Sequence, residues 1–394
     1  MTTVGVRLGL VANLRQFALL VALNAFVGAM VGLERSVLPL VGEEDFGLTS
    51  KTAILSFVVA FGVAKALANL AAGGLAERAS RKRLLVLGWL FALPVPVMIA
   101  LAPSWWVIVA ANILLGLNQG FAWSMTVVMK IDLVGPARRG LALGLNESAG
   151  YLGVAATALA TGALAATFAP RTLVWTGAAV IAIIGTLVSI LFVRDTGAHV
   201  SEEQLAHGSA PAGTLRKAFA RGTVRDPVLR ACSQAGLVNN LNDALAWGLV
   251  PLYLAAHGAS VTQVGVVAGL YPAVWGAGQL ATGWLSDHTG RKPLIVLGML
   301  VQAGALDRMV DGRGPLLVLD IVVPEDVLVR RLATRRICSK CGANASVEWI
   351  ASCGKCGGAL VARVDDGVDI VRERLEREFD LALITTAPNV AYRV

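Results

Sequence analysis

Between Phe17 and Val193 the chain is six long apolar runs joined by short polar turns, an alternation that leaves it almost no way to fold in water. A helix needs about 20 apolar residues to cross the hydrocarbon core of a bilayer. On that rule spans are expected near 17–41, 52–75, 84–101, 105–129, 141–166 and 173–193, with two more near 231–254 and 262–282. Only 15% of the 394 residues are charged and 56% are hydrophobic. Soluble domains carry about 25% charged residues, so lipid is the expected solvent for most of this chain. The first run is long and another span follows it, so it reads as a span and not as a cleaved signal peptide.

The net charge of +8 would suit a nucleic-acid partner, yet many of the positive residues sit in turns between apolar runs. There they orient helices, and no nucleic acid is expected. Arg78, Arg81, Lys82 and Arg83, then Lys130, Arg138 and Arg139, then Arg291 and Lys292 all fall on one side of the span pattern. Glu43, Glu44 and Asp45 fall on the other. Basic turns stay on the cytoplasmic side, which predicts an integral inner- or plasma-membrane protein with its N-terminus in the cytoplasm.

Two of these turns repeat. GGLAERASRKR, Gly73–Arg83, returns about 210 residues later as GWLSDHTGRKP, Gly283–Pro293. Gly73 and Gly283 are expected to let each preceding helix pack closely and end. Glu77 and Asp287 are expected to cap the helices that follow, and the pairs Arg81–Lys82 and Arg291–Lys292 hold the turns out of lipid. The doubled turn resembles the signature between helices 2 and 3, and again between helices 8 and 9, of the major facilitator superfamily of secondary transporters. The second copy matches closely, Gly290 included. The first has Glu77 where the family prefers Asp and Ser80 where it prefers Gly. The resemblance covers roughly residues 10–300 and implies a carrier of a small-molecule solute. Asn112 stands where many members have an arginine ahead of Gly116, and the fifth span lacks the Gly-Pro pair of the family's antiporters.

Ionisable groups inside a span are functional candidates because lipid makes them expensive. Here they are Glu34 and Arg35, Lys65, Glu147 and Asp243. Lys65 and Glu147 lie at similar depth, about 10 Å from the turn side by helix rise, and read either as a structural ion pair or as part of a transport path. Glu34–Arg35 reads either as a pair at the outer lipid boundary or as part of that path. Asn24, Asn112, Asn239, Asn240 and Asn242 add uncharged polar atoms, and the run Asn239–Asp243 is the preferred substrate contact because it sets several polar groups near the midplane.

The ninth span fails the pattern. Leu294–Leu306 supplies about 13 apolar residues before Asp307 and Arg308, roughly 20 Å of helix against about 30 Å of hydrocarbon. No later run is long and apolar enough for helices 10–12, so the second transporter half is expected to be truncated and transport impaired. The expected fold class is thus an all-α polytopic membrane protein followed by a small α+β zinc-lid-like module. Its parts are a six-helix half (1–193), a linker (194–230), the truncated half (231–306), the module (307–375) and a tail (376–394).

Leu316–Val323 reads as a buried strand, Pro324–Arg336 as a helix, and Asp369–Phe379 as an amphipathic helix. Between the first two and the third, Cys338, Cys341, Cys353 and Cys356 form two C-x2-C knuckles whose four thiolates suit tetrahedral structural zinc; disulfides in an oxidising compartment are the alternative. Cys232 stands apart as a small packing residue. Residues 301–375 resemble the zinc-bearing lid of adenylate kinase, on the runs VPEDVLVRRL, RRICSKCG and CGKCGGAL and the pair Asp365–Asp366. By that resemblance Arg331, Arg335, Arg363 and Arg372 would clamp nucleotide phosphates. No G-x(4)-G-K-[ST] loop occurs in the chain, so phosphoryl transfer is not expected. Arg374–Val394 resembles a segment of the elongation factor 4 type of translational GTPase, without a GTP-binding motif. A join of unrelated segments with no selected function as a whole is the remaining alternative.

Overall fold

The computed structural model describes residues 7–207 and 214–310, together with three short strands further on. The chain divides into two units, Met1–Met309 and Val310–Val394.

The first unit is helical. Its elements are α1 (Leu14–Arg35), α2 (Leu38–Glu44), α3 (Lys51–Ala76), α4 (Arg81–Ala92), α5 (Pro94–Leu101), α6 (Trp105–Val134), α7 (Arg139–Leu164) and α8 (Pro170–Leu191). Then come α9 (Gly197–His207), α10 (Leu215–Ala220), α11 (Pro227–Ala244), α12 (Val250–Ala256), α13 (Val261–Thr289) and α14 (Arg291–Val310). Local chemistry sets the ends. Ser50 Oγ accepts from Ala53 N at 3.3 Å to start α3, and Ser80 Oγ accepts from Arg83 N at 3.4 Å to start α4. Ser260 and Gln263 bond each other reciprocally at the head of α13. The third span is two helices because Pro94 has no N–H to continue the ladder from α4.

Among the described residues six apolar helical stretches are long enough to cross a membrane: 14–44, 53–76, 81–101, 105–134, 170–191 and 261–289. Two of the eight expected spans differ. α7 has the length but carries Asn146, Glu147 and Ser148 in its first half. The stretch expected near 231–254 is broken into α11, a wide turn at Leu245–Leu249, and α12. α14 runs to Val310 as a helix, four residues beyond the apolar run expected to end at Leu306.

Outward faces are oily at helical spacing. Val59, Val63 and Leu67 on α3, and Val266, Leu270 and Val274 on α13, are all more than half exposed. Such rows are stable against lipid, not against water. Inside, close approach replaces interdigitation. A Cβ on Gly28 would collide with the backbone of Gly150, one on Gly153 with that of Ala25, and one on Gly283 would stand 2.7 Å from Gly144 Cα. Small residues hold helices together where burial from water supplies no drive. Bonds from buried side chains reinforce them. Asn24 Nδ2 donates to Asn146 O at 2.7 Å, Thr126 Oγ1 donates to Asn24 Oδ1 at 2.9 Å, and Lys130 Nζ donates to Leu20 O at 3.1 Å.

In the second unit Arg336–Cys338 (β1) pairs antiparallel with both Asn344–Ala345 (β2) and Leu360–Ala362 (β3), in the order β2-β1-β3. Arg336, expected at the end of a helix, is the first residue of β1. The strand expected at Leu316–Val323, the helix at Asp369–Phe379 and the tail after Arg374 lie outside the described residues.

Candidate functional site

The interior of the first unit gathers charge and aromatic rings. Arg35, at the end of α1, is 1% exposed, and its guanidinium lies 4.5 Å from the Phe61 ring centroid, 5.2 Å from that of Phe57 and 6.0 Å from that of Trp247. Glu34 beside it is equally buried and has Asn112 of α6 as its polar neighbour. The pair is therefore inside the bundle and not at an outer lipid boundary. Its surroundings, which the sequence does not display, decide this.

Asp243 is 7% exposed and both its oxygens are held, Oδ2 by the Tyr151 hydroxyl at 3.0 Å and Oδ1 by the Tyr271 hydroxyl at 2.7 Å. One carboxylate on α11 thus ties α7 to α13. Around Tyr151 stand Trp123 at 5.9 Å, Trp275 at 5.5 Å and Trp247 at 6.3 Å between ring centroids.

Lys65 and Glu147 form no direct ion pair; Trp123 stands between them. Its indole Nε1 donates to Glu147 Oε1 at 2.9 Å while Lys65 Nζ lies 5.4 Å from its ring centroid. Asn146 Nδ2 also donates to Glu147, at 2.9 Å. Asp243 and Glu147 are the acids whose fields reach Lys65. Of the Asn239–Asp243 run Asp243 enters this cluster, and the side chain of Asn242 lies outside the described residues. Asn240 is exposed and donates back to Gly236 O at 2.7 Å in its own helix, and Asn239 is half-buried without a hydrogen bond among the described residues. A groove of about 480 Å³ along α13 shares Tyr271 and Trp275 with the cluster.

The repeated turns occupy one end of the bundle and differ from expectation. α3 continues past Gly73 to Ala76, and α13 past Gly283 to Thr289; Gly290, at φ +85°, is the residue that ends α13. Glu77 is exposed and its carboxylate makes no hydrogen bond among the described residues. Neither acid caps the helix that follows it. Asp287 instead caps α7, its two oxygens accepting from Gly140 N and Leu141 N at 2.8 Å each. Arg81 pairs with Asp132 at 3.0 Å, and Lys82 Nζ donates to Ile190 O at 2.8 Å. Arg291 and Lys292 are exposed. Asp195 receives Ser80 Oγ at 2.9 Å and Lys82 N at 3.0 Å. Burial would raise its carboxyl, but the bonds from Lys82 N, Ser80 and Gly197 N outweigh it and hold the group below the usual carboxylate range.

A helical bundle with oily outer faces, a charged aromatic interior and two copies of one basic turn is matched by a family model, the Major Facilitator Superfamily, over residues 17–306. The chain belongs to the Major Facilitator Superfamily. As a member of that transporter family it is an integral membrane protein. One relative, the probable 4-methylmuconolactone transporter of Cupriavidus pinatubonensis, is 28% identical over 242 residues, 60% of this chain and 54% of that protein. A different relative, the adenylate kinase of Moorella thermoacetica, is 41% identical over 100 residues, 24% of this chain and 44% of that enzyme. The chain spans about half the length of the curated relatives it matches. A solved D-xylose-proton symporter aligns at a TM-score of 0.47 with 16% identity, over 68% of this chain and 67% of that one.

Several site residues were not singled out by sequence reasoning. Asp132, Asp195, Tyr151, Tyr271, Trp123, Trp247 and Trp275 act here, and the one available signal was that the three tryptophans and Tyr151 fall mid-span, away from the interfaces where such residues anchor helices. Arg331, Arg335, Arg363, Arg372, Cys341, Cys353 and Cys356 lie outside the described residues, and Cys338 closes β1.

Proposed function

We propose that the chain moves a small organic solute across the membrane, binding it at the interior cluster of Arg35, Lys65, Glu147 and Asp243. The observation that carries this is Asp243, a carboxylate in mid-bundle whose two oxygens are gripped by tyrosines from α7 and α13. A group that joins helices on either side of the family's midpoint can feel both solute and conformation. Asn24 sits beside this path as a helix tie. The basic turns support an orientation with the N-terminus in the cytoplasm. The reading is of a carrier and not of an enzyme.

The family match stops at residue 306 while the chain continues. We therefore read slower transport than in a homologue with helices 10–12, and a lid-like second unit behind the carrier. β1 pairs with β2 through Ile337 and Asn344. β1 pairs with β3 through Cys338 and Leu360. The two C-x2-C pairs favour the four cysteines as structural zinc ligands, a site without chemistry of its own.

Uptake of radiolabelled small carboxylates, sugars and amines into proteoliposomes bearing the full chain tests the carrier reading. Gradient-driven uptake of one class, lost in Asp243→Asn, is expected. No class exceeding empty liposomes would sink it, and a rate equal to that of the Cupriavidus relative would remove the slower-transport part. Metal analysis of the purified chain should give one zinc per molecule, and none after Cys338→Ser with Cys353→Ser.

A further inference from the structure

We infer that the interior cluster is built to take the carboxylate of a planar organic acid on Arg35, an inference that rests on the carrier reading and narrows its substrate class. Three other cations near the bundle interior show what is unusual about this one. Lys130, as deeply buried, donates to Leu20 O. Arg171 donates to the carbonyls of Ile99, Ala100 and Ala102. Arg81 has Asp132. Arg35 is 1% exposed, and its Nε and both terminal nitrogens have no hydrogen-bond acceptor among the described residues.

What holds Arg35 is the face of its guanidinium, lying among the rings of Phe61, Phe57 and Trp247. Cation–π attraction uses that face, whereas the five N–H groups radiate in the plane and stay available. The acids nearby do not take them up. Asp243 spends both oxygens on Tyr151 and Tyr271, and Glu147 receives Trp123 and Asn146. Glu34, adjacent in the chain, has Asn112 as its polar neighbour and keeps one buried oxygen, Oε2, without a partner among the described residues, fewer acceptors than the free donors around it. The indole nitrogens of Trp247 and Trp275 are likewise buried without an acceptor.

The cluster therefore offers a surplus of donors between flat aromatic walls. A carboxylate supplies two acceptor oxygens spaced to fit the guanidinium fork, and a planar body stacks between indoles. A sugar would bring as many donors as acceptors. An ammonium would face Arg35 and Lys65, two like charges.

Benzoate and its neutral isostere benzamide are the probes. The purified full chain in detergent is titrated with each while tryptophan fluorescence is read, for the native protein, Arg35→Lys and Arg35→Gln. Saturable quenching by benzoate at least ten-fold tighter than by benzamide is expected, with a ten-fold loss in Arg35→Lys and no preference left in Arg35→Gln. Absence of saturable benzoate quenching, equal affinity for the two probes, or unchanged benzoate affinity in Arg35→Gln would overturn the assignment. Should Arg35→Gln not fold, the native comparison and Arg35→Lys decide. Benzoate-selective quenching without uptake of any solute class leaves the Arg35 site standing and removes the carrier reading; uptake of sugars or amines with no benzoate selectivity does the reverse.

Discussion

The turn Gly73–Arg83 and the turn Gly283–Pro293 carry nearly the same letters and work through opposite ends of them. In the first, the acid is idle and the bases act: Arg81 reaches Asp132, and Lys82 Nζ reaches a carbonyl of α8, while the backbone N–H of Lys82 holds Asp195. In the second, the bases are exposed and the acid acts, closing the N-terminus of α7 with two short bonds. The cause is what lies opposite. The first turn faces acids of its own half, whereas the second faces the bare amides and partial positive charge at the head of a helix. A shared motif thus fixes which groups are on offer, and the neighbour selects among them.

Substitutions can sharpen that contrast. The largest effect is expected at the glycines. Gly283→Leu would drive a side chain into Gly144 Cα at 2.7 Å and Gly140 O at 2.8 Å, lowering stability by about 3 kcal/mol, whereas Gly73→Leu meets open space and should change it by less than about 0.5 kcal/mol. Thermal unfolding in detergent reads both, and equal losses would mean the two turns are packed alike after all. Next comes Asp287→Ala, which leaves two amides of α7 without a charged acceptor and should cost about 2 kcal/mol, against nearly nothing for Glu77→Gln. Arg81→Gln strips Asp132 of its cation and should cost about 1 kcal/mol, with Arg291→Gln as the silent counterpart.

The smallest effect is one of pH. Asp195 is held below its ordinary value by the first turn, so its contribution is whole above the unfolded carboxylate value of about 3.9 and is lost as pH falls through its lowered folded value. Acid titration below about pH 4 should loosen the native protein, and Asp195→Asn should flatten that part of the curve. A curve unchanged by Asp195→Asn would mean that Ser80 and Lys82 do not hold it.

Helix positions were legible because about 20 apolar residues in a row have one stable form in lipid. The turns were legible as repeats. Partners were not. Arg35 could be placed in a span from its letters, but only the approach of Phe57 and Phe61 from α3 and Trp247 from beyond α11 makes it an interior cation. Lys65 and Glu147 share a depth, which the sequence gives; that Trp123 comes between them depends on the rotation of α6, which it does not. Asn240 shows the limit of reading by depth, since it sits near Asp243 in sequence and turns away from it. Breaks inside spans followed the same rule. Pro94 announced one, and Pro251, at the start of α12, stands two residues after the wide turn at Leu245–Leu249.

The contact between α7 and α13 has a mechanical consequence. At Gly144 against Gly283 and at Gly162 against Gly265, main chain meets main chain with nothing between. Surfaces of that kind have no rotamers to unlock, so at those points one rod can roll across the other as on a bearing, and the polar latches along the contact resist it. Asp287 is such a latch at one end and the tyrosine-held Asp243 another at mid-span, which makes these two carboxylates the brakes on any rocking of the bundle.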